Sequence, residues 1–132
     1  TICMMLTSCI VSPWEDRMTD THFRSFAEFW PHFLRAHSKP LTRAFHYAGM
    51  VLAIYFVVHA VATDTPFAFI AALLAPYGLG FFSHYAIEGN NPASARHPLY
   101  SIVGAFAMFG RWVTGTLKPE LIKAGLPADG WL

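Results

Sequence analysis

Residues 44–87 read AFHYAGMVLAIYFVVHAVATDTPFAFIAALLAPYGLGFFSHYAI, and Asp64 is the only charged side chain among them. Asp, Glu, Lys and Arg are absent for 20 residues from Ala44 to Thr63 and for 23 from Thr65 to Ile87. A helix of 20 residues rises about 30 Å, the thickness of a bilayer's hydrocarbon layer, so each run is long enough to cross one. The connector Ala62-Thr63-Asp64-Thr65-Pro66 holds turn formers and a proline suited to a helix's first turn. The stretch therefore predicts an antiparallel transmembrane hairpin with helices over about 44–63 and 66–87. The alternative, a helical pair buried in a soluble protein, requires polar sequence to wrap it, and the rest of the chain supplies little.

The whole chain has the same character. Of its 132 residues, 55% are apolar, 16% aromatic and only 13% charged, the last about half the usual share. Mean hydropathy is +0.39. Nine Lys and Arg against eight Asp and Glu make no basic field to hold phosphates, so nucleic acid is excluded as a partner. Disorder and coiled coil are excluded by the apolar content and its pattern. The class that remains is a small all-α integral membrane protein, with membrane lipid as its surroundings.

A third apolar run, from His97 to Gly110, has 14 uncharged residues before Arg111. Adding Trp112 to Leu117 gives a third helix over about 98–117, with Arg111 close enough to an end to snorkel; we expect it to span. Ahead of the hairpin, Ser25-Phe26-Ala27-Glu28 forms a capping box. Phe26, Phe29, Trp30, Phe33 and Leu34 then recur at helical spacing, with Pro31 bending the helix or resetting its start. This amphipathic helix suits a headgroup-level position and should end before Pro40. Residues 1–22 read as an N-terminal extension open to disorder, without the basic region of a signal peptide. Residues 23–117 form the membrane domain and residues 118–132 a C-terminal tail. Arg17, Arg24, Arg35, Lys39, Arg43 and Arg96 all lie where the hairpin opens, and the tight connector carries none. The positive-inside bias turns the open end to the cytoplasm, in a bacterial inner membrane or one of endoplasmic-reticulum type.

Chemistry is expected at that open end. His46 begins the first span and His84 lies near the end of the second, so an antiparallel pairing brings them to one membrane face. Glu88 follows His84 by one helical turn, and the short link through Pro40 keeps His37 near His46. Ala72, Pro76 and Gly80 form a row of small residues leading to His84, matched by Gly49 and Ala53 inside His46. Small residues allow close helix approach in lipid. Imidazoles and a carboxylate suit Fe(II) or, less well, Zn(II), with open positions for chemistry. The same residues also read as a polar belt, in which the histidines meet headgroups and Glu88 pairs with Arg43 or Arg96. His97 is a further candidate ligand; His22, His32 and His59 are not.

These residues also carry a resemblance. Phe29-Trp30-Pro31, His37, Pro40, Arg43, His46 and Gly49 resemble the opening block of a family of small membrane proteins whose characterised member is a fungal 2-hydroxy fatty acid dioxygenase. His84-Tyr85-Ala86-Ile87-Glu88-Gly89-Asn90-Asn91-Pro92-Ala93 is similar to its His-x-x-x-Glu-Lys-Asn-Arg-Pro-Ala signature, and Pro98-Leu99-Tyr100-Ser101 to its Pro-Leu-Trp-Ser. The resemblance implies an Fe(II)-dependent oxygenase that shortens 2-hydroxy long-chain fatty acids by one carbon using dioxygen. It implies that His37, His46 and His84 hold the iron, with Glu88 a fourth ligand or a support for one imidazole. Arg43 would pair with the substrate carboxylate. Gly89 and Asn91 stand where a lysine and an arginine are usual, and Gly104-Ala105-Phe106-Ala107-Met108 lacks the family's aspartate and arginine. Those departures keep a second reading open: a non-catalytic membrane protein that binds lipid or packs against a partner helix, or an inactive member.

Overall fold

The computed structural model describes residues 22–128; expectations for residues 1–21 and 129–132 lie outside them. Among the described residues every regular element is a helix or helical turn, and there are no strands. Helix α1 runs Phe26–Arg35. It starts where the Ser25 hydroxyl accepts the Glu28 amide at 3.3 Å, while the Glu28 carboxylate reaches back to the Arg24 amide at 3.0 Å. Half of the expected capping box is formed as such, the carboxylate bonding the amide one residue before the cap instead of that of Ser25, and Pro31 lies inside the helix without ending it.

Helix α2 runs Pro40–Ala62, beginning four residues before the first apolar run. Pro40 occupies its first turn, where a missing N–H costs nothing, and that polar turn carries Thr42 and Arg43 into the interior. In the connector Asp64 takes φ 50°, a left-handed conformation that Asp tolerates. Helix α3 runs Ala68–Ser83 and continues through a π-helical turn, His84–Glu88, that ends on Gly89 at φ 77°. Contacts between Gly49 and Pro76, His46 and Gly80, and Phe45 and Phe82 fix α2 and α3 as antiparallel. A Cβ on Gly49 would stand 2.7 Å from the Pro76 Cα, so the small-residue row does bring the backbones together. The segments Pro40–Ala62 and Ala68–Glu88 are each long and apolar enough to cross a membrane.

A short 3₁₀ turn, Ala93–Ala95, leads to α4, Pro98–Val113, and then to α5, Leu117–Lys123. Three expectations are corrected here. Helix α4 stops at Val113, short of the expected 117. Gly115 at φ 71° lets the Thr116 amide return to the Arg111 carbonyl at 2.8 Å and the Gly115 amide to that of Trp112 at 3.1 Å, a Schellman stop. At 16 residues α4 is about 24 Å long, too short to cross upright. Next, the supposed tail contributes α5, whose Leu117 and Leu121 are buried one turn apart. Finally, the aromatic stripe of α1 does not face headgroups. Phe29, Trp30, Phe33 and Leu34 are buried against Met108 of α4 and against Leu117 and Leu121. The Trp30 indole N–H donates to Glu120 at 3.0 Å, and Arg111 covers the Trp30 ring at 5.4 Å.

Helices α1, α4 and α5 thus form a packed platform beside the open end of the hairpin. Away from it α2 and α3 present apolar side chains outward; Val51, Val61, Ile70 and Leu74 are more than half exposed.

Candidate metal centre

Each of three histidines reaches the centre from a different element. His37 lies in the α1–α2 loop, His46 on α2 one turn in from its start, and His84 opens the π turn. Their ring centroids are 4.5, 4.6 and 5.2 Å apart. One nitrogen from each ring lies within 4.8 Å of the others, close enough to hold a single metal ion. His37 and His84 are buried and His46 nearly so.

The other nitrogen of each ring is tethered. His37 Nδ1 meets the Phe33 carbonyl at 2.7 Å, His46 Nδ1 the Thr42 carbonyl at 3.0 Å, and His84 Nδ1 the Asn90 Oδ1 at 2.8 Å. The Asn90 amide is oriented in turn, because its Nδ2 donates to the Ala36 carbonyl at 3.1 Å. A carbonyl oxygen only accepts, so all three Nδ1 atoms carry the proton and all three Nε2 atoms keep a lone pair. The Nε2 atoms of His37 and His46 stand 3.2 Å apart. Two lone pairs facing at that distance repel unless a cation or proton lies between them. Two nitrogens each about 2.1 Å from one ion stand roughly 3.0–3.4 Å apart, so the spacing fits a shared metal. Burial, followed by the neighbouring His46 and His84, holds the His37 imidazole well below its ordinary pKa and hence neutral, the form a metal requires. Tethering through the second ring nitrogen is what ligating histidines ordinarily show.

Backbone choices create this arrangement. The π turn inserts extra chain at His84, so the Gly89 and Asn90 amides both return to the His84 carbonyl, at 2.8 and 3.1 Å. That wide turn brings the Asn90 side chain back to the imidazole six residues earlier. π-bulges recur at functional sites for this kind of reason. Gly80 supplies the space for His46: a Cβ there would lie 3.1 Å from its Nε2.

Glu88 and Arg43 are placed otherwise than expected. Glu88 is outside the trio. Its carboxylate accepts from the Ser38 amide at 3.0 Å, the Ser38 hydroxyl, the Lys39 amide at 3.2 Å and the Thr42 hydroxyl at 2.5 Å. It caps the N-terminus of α2, where unpaired N–H groups and the helix dipole attract an anion. Glu88 therefore neither ligates with the histidines nor touches an imidazole; it acts at one remove, through Thr42, whose carbonyl holds His46. Arg43 is fully buried, and its Nη1 donates to the His37 carbonyl at 2.9 Å and the Ser38 carbonyl at 2.7 Å. It fixes the loop that carries His37 and is not among the residues that line the cavity described below. Neither does His97 join the trio; it packs among Phe23, Phe29 and Tyr100.

A cavity of about 560 Å³ opens from the three imidazoles and runs between α2, α3 and α4 past Met50 and Ile54 to Val58 and Phe69. From His46 to Val58 is 12 residues of helix, about 18 Å. Among the described residues its lining includes Ser94 and Ser101 but no Asp, Glu, Lys or Arg. Ala105 and Phe106, within the block that departs from the family pattern, contribute to that apolar wall. Sequence reasoning passed over Asn90, Thr42 and Ser101 as site residues. Asn90 and Ser101 both lay inside the quoted motifs, which was the available signal.

No curated protein and no solved structure gives a significant match to the chain. Residues 23–117 match the family described as 2-hydroxy-palmitic acid dioxygenase Mpo1-like. The match covers the centre's histidines, their tethers and the cavity, and the chain belongs to the Mpo1-like family.

Proposed function

We propose that this protein is a membrane-embedded, iron-dependent dioxygenase that shortens 2-hydroxy long-chain fatty acids by one carbon. The observation that carries the reading is the trio itself: three ring nitrogens within 4.8 Å of one another, each ring held through its Nδ1. Three neutral nitrogens leave coordination positions for substrate and dioxygen; the trio lacks the carboxylate of the common two-histidine, one-carboxylate iron site, and imidazole ligands suit iron as well as zinc. Bound Fe(II) would supply the redox chemistry, which Zn(II) lacks.

The chain's own residues bind, orient and exclude water. His37, His46 and His84 would hold the iron, while Asn90, Thr42 and the Phe33 carbonyl fix the ring angles. Arg43 and Glu88 hold the loop and helix end from which two of those rings project. The apolar cavity accepts an acyl chain and shields the head from bulk water. The overall change balances as R–CHOH–COOH + O₂ → R–COOH + CO₂ + H₂O, with no external reductant. The apolar outer faces of α2 and α3 support membrane insertion, with α1, α4 and α5 at one interface. The basic residues at the hairpin's open end favour the cytoplasmic face for the site.

The test is oxygen uptake by purified protein in detergent with Fe(II) and 2-hydroxyhexadecanoate. The expected result is one O₂ consumed for each pentadecanoate formed, lost in His84→Ala. Uptake unchanged by that substitution contradicts the assignment. A second reading, a non-catalytic lipid-binding member, draws on the uncharged cavity wall; it expects bound acyl lipid without turnover.

A further inference from the structure

We propose that Ser101 is the positioning residue for the acid's polar head, donating its hydroxyl to a carboxylate oxygen. The inference rests on the cavity being the acid's binding site, and it extends the reading above to how the head is held.

Ser101 stands on the buried face of α4 together with Gly104 and Met108, only 8% exposed, and lines the same cavity as His37 and His84. Its Oγ has no hydrogen-bond partner among the described residues. That is unusual for a hydroxyl in a helix, where the carbonyl three or four residues back is normally within reach. Ser83 takes that option, donating to Gly80 at 2.8 Å, and Thr114 donates to Gly110 at 2.9 Å. Ser101 instead leaves a buried polar group unsatisfied, at a cost comparable with a lost hydrogen bond. A site that keeps such a group in an otherwise apolar wall is built to satisfy it with a ligand.

The character of the ligand atom follows from what surrounds the hydroxyl. Among the described residues no charged side chain lines the cavity, Ala105 one turn on is apolar, and Arg43 is committed to the carbonyls of His37 and Ser38. A carboxylate entering this space therefore meets no cationic side chain of the described residues. The remaining polar side chains of the lining, among the described residues, are the hydroxyls of Tyr77, Ser94 and Ser101, and of these Ser101 is the buried one. Ser101 also lies in the first turn of α4, whose dipole favours negative charge. A neutral donor in the positive field of a helix start can orient a carboxylate without forming an ion pair that would resist release. The acyl chain then points down the cavity towards Val58.

The experiment measures equilibrium binding of radiolabelled 2-hydroxyhexadecanoate to metal-free protein in detergent, alongside the melting temperature. A hydrogen bond to a charged group accounts for about tenfold or more in affinity. Ser101→Ala and Ser101→Val should weaken binding by at least about tenfold, and Ser101→Thr, which keeps the hydroxyl, should restore most of it. Because the hydroxyl is unsatisfied in the free protein, Ser101→Ala should melt at or above the wild-type temperature. Wild-type affinity in Ser101→Ala, equal weakening by Thr and Val, or failure of the wild type to bind the acid overturns the proposal. Iron content of the wild type and of Ser101→Ala is measured separately. Absence of iron from the wild type refutes the oxygenase reading while leaving the comparison of acid affinities intact.

Discussion

Gly80 offers a one-atom probe of the metal centre. Replacing it with alanine puts a methyl 3.1 Å from the Nε2 of His46, where ordinary carbon–nitrogen contact is 3.4 Å or more. The ring must yield by a few tenths of an ångström. It cannot pivot freely, because its Nδ1 is bonded to the Thr42 carbonyl at 3.0 Å and α2 is fixed against α3 by the Gly49–Pro76 contact. Metal–nitrogen distances tolerate about 0.2 Å, so a shift of that size degrades the site. Perturbations one step removed from the ligands ordinarily cost about 10–100-fold in metal affinity, and Gly80→Ala should fall in that range. The control is Gly78→Ala on the same helix, where an added Cβ meets nothing within 4 Å. By helix propensity that change should stabilise by up to about 1 kcal/mol and leave metal binding untouched. Titration of both variants with Co(II), read by its visible absorption, compares them directly. If Gly80→Ala binds Co(II) as tightly as Gly78→Ala, the placement of His46 Nε2 at the metal is refuted.

Further outcomes follow from the tethers and the cavity. Asn90→Ala removes the acceptor for His84 Nδ1 and should lower metal affinity by about 10–100-fold with little change in helix content by circular dichroism; unchanged affinity would show that the tether is idle. Glu88→Gln keeps the shape but removes the charge that caps α2, so the protein should lose about 1–2 kcal/mol by chemical denaturation. It should still bind one metal per chain; loss of the metal in a folded variant would make Glu88 a ligand after all. Val58→Trp fills the far end of the cavity and should shift acid binding towards shorter chains, measured across a C10–C18 series. An unaltered chain-length profile would mean the acyl chain lies elsewhere.

The hairpin was legible because a missing charge is a strong signal over 20 residues, and the small-residue row stated which faces meet. The convergence of His37, His46 and His84 followed from the same antiparallel geometry. What the sequence concealed was the partner of each polar group. Glu88 sits one turn from His84, and the spacing could not reveal that the open amides of α2 would claim its carboxylate. Arg43 lies one turn from His46, but the carbonyls of a folded-back loop drew its guanidinium away from the cavity. The π turn that delivers Asn90 to His84 breaks helical periodicity, so no pattern based on that periodicity anticipates it. Likewise the stripe on α1 declared an apolar face without saying whether lipid or α4 and α5 would cover it. Gly115 was the available cue that α4 stops early, and Leu117 with Leu121 that another helix follows.

The most direct measurement is metal content by elemental analysis joined to X-ray absorption of the iron-loaded protein. The expected result is one iron per chain with three imidazole nitrogens in its coordination shell, and loss of that iron in each of His37→Ala, His46→Ala and His84→Ala. A protein that purifies folded but takes up no iron, or whose iron survives all three substitutions, would contradict the assignment of the centre.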